Sequence, residues 1–205
     1  MAHLYEALTW TIDEPDRPLE FVFHNDGEVL AKAAPVAPRP NDSAGLPYAN
    51  PHAAQPDSPR TLLCVAGPDG APYFYVEHWR STASYNDPSV VAANGQRLGS
   101  IVAKSEGGLK GMFRLRSGRQ QFRYLLRDEG GATIVVMRPP PMEQPFGEGT
   151  LTGAEGDEIG RFRTDRSPHG DRRRRHSISL TRPLAEPART LTLASMLGLE
   201  IVIPR

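Results

Sequence analysis

Gly95-Gln-Arg-Leu-Gly-Ser-Ile101 and Gly156-Asp-Glu-Ile-Gly-Arg-Phe162 are two copies of one phrase. A glycine is followed by two residues, an apolar residue, a small residue, any residue and a second apolar one. Asp26-Gly27-Glu-Val-Leu-Ala-Lys-Ala33 is a looser copy. Asp69-Gly70-Ala-Pro-Tyr-Phe-Tyr-Val76 and Gly130-Gly131-Ala-Thr-Ile-Val-Val136 share its turn-then-strand sense. Asp-Gly, Asn-Gly and Gly-Gly supply the positive φ that tight hairpins demand. The repetition therefore predicts a serial antiparallel β protein.

Working outward from these copies, strand-like runs recur at spacings of roughly ten residues with turn signals between them, the pattern of a barrel or sandwich. They fall at residues 5–12, 19–23, 29–33, 61–66, 71–79, 89–93 and 98–104, then at 111–116, 121–127, 132–138, 149–152, 159–164 and 176–180. Residues 34–60 differ, with seven prolines among alanines and small polar residues. Such a composition cannot bury enough apolar surface to offset its ordering entropy, so it predicts a flexible insertion in a single domain spanning 1–205. Near the end, Pro187 to Leu197 reads as a helix, with Pro187 in its first turn and Gly198 as its stop. Its apolar residues surround most of the circumference, which predicts a buried helix. Leu199–Ile203 reads as a last strand.

This order of about a dozen strands and one apolar helix resembles the tubby C-terminal-like barrel group, which includes phospholipid scramblases and LURP-one-related proteins. The residues that carry the resemblance are the Gly95 and Gly156 phrases and the closing run Pro187-Ala-Arg-Thr-Leu-Thr-Leu-Ala-Ser-Met-Leu-Gly-Leu-Glu-Ile-Val202. It covers about Thr61–Arg205, with Tyr5–Ala33 supplying the first strands. The resemblance implies a closed antiparallel barrel of about twelve strands around a hydrophobic C-terminal helix, and a lipid-binding kinship. No acidic calcium loop, cysteine cluster or apolar tail accompanies it, which argues against scramblase activity. Fold alone does not fix function.

Net charge is zero over 205 residues, yet the charge is segregated. Lys and Arg against Asp and Glu number 4 to 9 in residues 1–60 and 8 to 1 in 97–127. They number 1 to 7 in 128–158 and 10 to 4 in 159–205. Blocks of one sign can become faces, and a basic face attracts anions. In the runs 111–117, 121–127 and 159–164 the period-two alternation sets Phe113, Leu115, Phe122, Tyr124 and Phe162 inward. Arg114, Arg116, Arg123, Arg127, Arg161 and Arg163 face outward. Like charges across strands repel unless carboxylates or an anionic ligand relieve them. Solvated charge is the commoner explanation; the functional one is a phosphate-bearing ligand held by Arg forks. Arg172, Arg173, Arg174 and Arg175 read as an exposed loop between strands, an electrostatic anchor if it has a role. No nucleic-acid-binding signature accompanies that run.

Catalytic signals are sparse. His3, His24, His52, His78, His169 and His176 show no metal-ligand spacing, Cys64 has no cysteine companion, and no nucleophile elbow is present. His78, beside Glu77, is the nominal acid–base candidate. Trp10, Trp79, Tyr73, Tyr75 and Tyr85 could line a barrel mouth, although packing is their commoner use. Neither a metal nor a cofactor is called for. Cys64 sits in an apolar run and reads as a small buried hydrophobe. No signal peptide or bilayer-spanning segment is evident, so the expectation is a cytoplasmic protein, free or peripheral to a membrane. Three functions follow: a non-catalytic module that binds an anionic ligand or phosphorylated lipid headgroup, an enzyme with a pocket at the barrel mouth, and a scaffold for a protein partner.

Overall fold

The structure is a computed structural model that describes residues 3–15, 17–36, 60–79, 87–105, 122–140, 146–169 and 173–202. Its strands are β1 (Thr9–Asp13), β2 (Phe21–Asn25), β3 (Glu28–Pro35), β4 (Arg60–Ala66), β5 (Pro72–Trp79), β6 (Ser89–Ala92), β7 (Arg97–Ser105), β8 (Phe122–Asp128), β9 (Thr133–Arg138), β10 (Gly147–Gly153), β11 (Glu158–Arg166) and β12 (Arg174–Leu180). One helix, α1 (Ala188–Val202), follows. Each strand pairs antiparallel with the next, and β1 pairs with β12, closing a twelve-stranded barrel without an exposed edge. The expected barrel around a C-terminal helix is present.

The repeated phrase has a single geometric meaning. Gly27, Gly70, Gly95, Gly131 and Gly156 each carry a φ between +81° and +89° at a hairpin turn. In the five hairpins that follow from them, the register skips one residue, always the third after that glycine: Leu30, Tyr73, Leu98, Ile134 and Ile159. Four of the turns share one hydrogen-bond pattern, as in Gly95 N–H to the Ala92 carbonyl and Ala92 N–H to that of Gln96. This is the three-residue hairpin loop that ends in a left-handed residue. The apolar residue of the phrase is thus the bulged one. A bulge puts it and the next residue on the same, inner side, increasing local twist. Where that next residue is glycine, the strand beyond comes close: a Cβ on Gly99 would lie 1.9 Å from the Arg127 carbonyl oxygen, and one on Gly160 would lie 2.5 Å from that of Ser179.

The core fills the barrel, with Trp10, Phe21, Phe23, Phe74 and Phe162 from the wall packed around Leu191, Leu193, Met196 and Leu197 of α1. Every helical residue from Thr190 to Ile201 is buried. Two of the three hydroxyls among them are satisfied within the helix, Thr192 donating to the Ala188 carbonyl (2.8 Å) and Ser195 to that of Thr192 (2.6 Å), and Thr190 donates to the Tyr5 hydroxyl (3.2 Å). That bonding allows a helix to be buried on all sides without orphaned polar groups.

Three expectations change. The helix does not stop at Gly198, and 199–202 is helical instead of a strand. Leu199 and Ile201 pack into the core and Glu200 finds partners on the wall, so tertiary contacts outweigh the roughly 1 kcal/mol that a mid-helix glycine costs. Residues 5–8 are not strand but a turn that plugs one end, with Leu4 and Ala7 buried. Ala34, Pro35 and Arg60 belong to β3 and β4, narrowing the proposed insertion, whose residues 37–59 lie outside the described residues.

Candidate functional site

A shallow, open groove of about 490 Å³ crosses the outer face of β11, β12, β1 and β2. Its floor is the backbone of Phe162, Ile178 and Trp10, whose side chains point into the core and are buried. The register then builds two banks from the outward residues on either side. Arg161 stands opposite Ser179 and Ser179 opposite Thr9. Arg163 stands opposite Ser177, Ser177 opposite Thr11, and Thr11 opposite His24. The small side chains of β12 and β1 make the depression. Arg161, Arg163 and Glu148 of β10 wall it on one side, and His24, Asn25 and Asp26 on the other. The Thr9 hydroxyl donates to Asn25 Oδ1 (3.2 Å), tying β1 to the second wall.

The two arginines are charged and exposed, at 63% and 58%. Arg161 Nε meets Glu158 at 2.8 Å, and Arg163 Nε meets both Asp165 oxygens at 2.9 Å, with Glu148 farther off at 4.0 Å. Those hydrogen bonds, and then the carboxylate charges, hold both guanidiniums above their ordinary range. Exposed pairs of this kind contribute little and exchange readily for a better anion.

The remaining predicted residues do not join this wall. Arg123 and Arg127 lie on β8, with β9 and β10 between it and β11; there Arg123 faces Lys104 and Arg127 faces Ser100. The buried Nε of Arg127 has no hydrogen-bond partner, and the Asp87 carboxylate lies within its electrostatic reach. The four described arginines therefore form two pairs and no single cluster, with β9 and β10 between them. Arg114, Arg116 and Arg172 lie outside the described residues, as does Tyr85.

The reading of Arg173, Arg174 and Arg175 as a free loop is overturned. Arg173 donates to the carbonyls of Glu14 (3.2 Å) and Pro15. Arg174 and Arg175 begin β12. Arg175 Nε meets the buried Asp13 carboxylate at 2.7 Å, and Arg174 meets Glu200 at 3.6 Å. The run is half-buried and pinned because β12 must close the barrel against β1.

His78 is the penultimate residue of β5 and is buried, while its neighbour Glu77 faces the opposite way and binds Arg60 at 2.6 Å. The expected His–carboxylate neighbours thus sit on opposite faces. The aromatic residues also disperse. Trp10 donates to the Leu4 carbonyl (3.0 Å), and Tyr73 stacks edge-on against His3 and Tyr5. Tyr75 joins a separate outer cluster with Leu62, Val91 and Val36. The bulge at Tyr73 interrupts the period-two alternation, so Tyr73 and Tyr75 do not share a face. Cys64 packs on that outer cluster, and burial pushes its thiol up, away from reactivity.

A second polar group lies inside the barrel. His176 Nδ1 is 3.0 Å from the Thr164 hydroxyl and its Nε2 is 2.9 Å from Glu200 Oε1; all three residues are buried. Arg174 completes the group. The chain of hydroxyl, imidazole and carboxylate fastens the last turn of α1 to β11 and β12. The sequence carried one signal for it, the lone glutamate among the apolar residues that follow Gly198. For the groove the signal was the alternation of small hydroxyl residues, Thr9 with Thr11 and Ser177 with Ser179.

Among the described residues no three His, Cys, Asp or Glu side chains gather as a metal site, and no helix is long and apolar enough to cross a membrane. Comparison of the chain with protein-family models, with curated proteins and with solved structures finds no match.

Proposed function

We propose that this chain is a non-catalytic binding module whose outer groove takes the anionic group of a ligand, a phosphate or a carboxylate. One observation carries the reading: two exposed arginines, with a single glutamate beside them, form one wall of a depression whose floor bears only small hydroxyl side chains. Two guanidiniums offer forked donors to one phosphate or carboxylate. The serine and threonine hydroxyls can donate or accept toward the rest of the ligand. Kinship with the tubby C-terminal-like group is part of the same proposal, supported by the closed twelve-stranded barrel around a C-terminal helix.

The test is binding of inorganic phosphate and of neutral, phosphatidylserine and phosphoinositide vesicles, at low and physiological salt. Wild type is compared with Arg161→Glu/Arg163→Glu and with Arg123→Glu/Arg127→Glu. Loss of at least tenfold in affinity in the first variant alone supports the groove. Loss in the second alone would move the site to β8. Absence of binding to phosphate and to all vesicles at both salts would remove the anion reading.

A further inference from the structure

We propose that the occupant of the groove is a short extended peptide with free ends, its carboxylate at Arg161 and its ammonium at Asp26. The proposal rests on the anion-binding reading above and adds the second half of the ligand. Its first ground is charge. The groove has two guanidiniums, Arg161 and Arg163, against one carboxylate, Glu148, on its β10–β11 side, and a carboxylate, Asp26, on the opposite wall. A polyanion spanning it would gain at Arg161 and lose at Asp26, whereas a dipolar ligand gains at both.

The second ground is dimension. From β11 to β2 there are three inter-strand steps, about 14 Å. An extended chain covers about 3.4 Å per residue, so roughly four residues cross from wall to wall. The two banks are two residues apart along the strands, about 6.6 Å, while an extended backbone occupies about 4.8 Å in the plane of its hydrogen bonds. Such a backbone turns N–H and C=O groups alternately to its two sides. On one side it meets Ser179 and Thr9, and on the other Ser177 and Thr11. A hydroxyl is both donor and acceptor, so either amide group finds a partner. A closed barrel has no edge strand to offer, which makes a crosswise seat the available way to hold a backbone.

The experiment is an amide-shift NMR titration of the whole chain. The ligands are tetra-alanine with free ends, its N-acetyl form, its C-terminal amide and inorganic phosphate. Expected are shifts at Thr9, Thr11, Ser177 and Ser179 with the free peptide, and about tenfold weaker binding after either acetylation or amidation. Asp26→Asn should abolish the effect of acetylation, and Arg161→Gln that of amidation. Both positions are exposed, and an unchanged thermal midpoint confirms that the variants fold. Equal binding of acetylated and free peptide would overturn the peptide while leaving the anion reading in place. So would phosphate binding without peptide binding. No shift with any ligand would overturn the peptide, and the vesicle series above then decides the anion reading.

Discussion

Each glycine of the repeated phrase does a different job, and substitution separates them. Gly156 has a φ of +89° with open space where a Cβ would stand, so Gly156→Ala pays only the left-handed backbone penalty, about 1–2 kcal/mol. At Gly99 an added Cβ would fall 1.9 Å from the Arg127 carbonyl oxygen, which is backbone and cannot step aside without opening the β7–β8 pairing. Gly99→Ala should therefore cost about 3 kcal/mol or more, read as a lower urea midpoint in equilibrium unfolding. Comparable costs in the two variants would refute this division of labour. A second prediction concerns Arg175. Its removal strands the Asp13 carboxylate, only 4% exposed, so Arg175→Ser should lose about 2 kcal/mol in the same assay. Removing the whole arginine run would on this account impair folding as well as charge. The sequence shows four consecutive arginines but not their partners, since Asp13 lies more than 160 positions away.

At the level of elements, strands were legible because each carries its own turn signal and alternation. The phrase even marked the bulged residue, although its apolar position could not be told from ordinary inward alternation. The end of α1 was illegible for a definite reason. Gly198 followed by β-branched Ile201 and Val202 has the local marks of a stop and a strand, and only the barrel wall reverses that preference. Glu200 is the residue through which it does so, by its contacts with His176 and Arg174. Glu200→Ala leaves a buried imidazole and a half-buried guanidinium without their carboxylate, for an expected loss of about 2–4 kcal/mol. Glu200→Gln keeps one acceptor and should lose less. Hydrogen exchange gives the decisive readout: amides of the last turn of α1 should exchange faster in Glu200→Ala, while those of its first turns keep their protection. Uniform loosening of the helix would show that the contact is not a local fastening.

For the whole molecule the question is how the barrel is closed at the end where the five short turns gather. The plug there is the N-terminal segment, held by α1: Arg189 donates to the Tyr5 carbonyl (2.5 Å) and the Leu184 carbonyl (2.7 Å), and the Thr190 hydroxyl donates to that of Tyr5 (3.2 Å). Tyr5 also packs edge-on against Tyr73, beside the Gly70 turn. One side chain thus joins the start of the chain, a hairpin and the helix. Burial pushes the Tyr5 phenol up to about 12, with the charge of Glu186 adding to the shift and the Thr190 hydrogen bond opposing it. The sign follows from proton counting. Between the ordinary tyrosine value near 10 and about 12, the folded chain keeps a proton that the unfolded chain releases, so stability falls as pH rises through that window. Below about pH 10 both states are protonated and the contribution is fully present. Allowing for partial exposure of the ring, the loss is on the order of 1–2 kcal/mol. Tyr5→Phe cannot ionise, so its stability should lie somewhat below wild type at pH 8, through the lost Thr190 contact, yet fall less steeply between pH 10 and 12. Denaturant unfolding at both ends of that range measures the two slopes. Parallel curves would mean that the plug opens before the barrel does, and that the end of the barrel is closed by the turns alone.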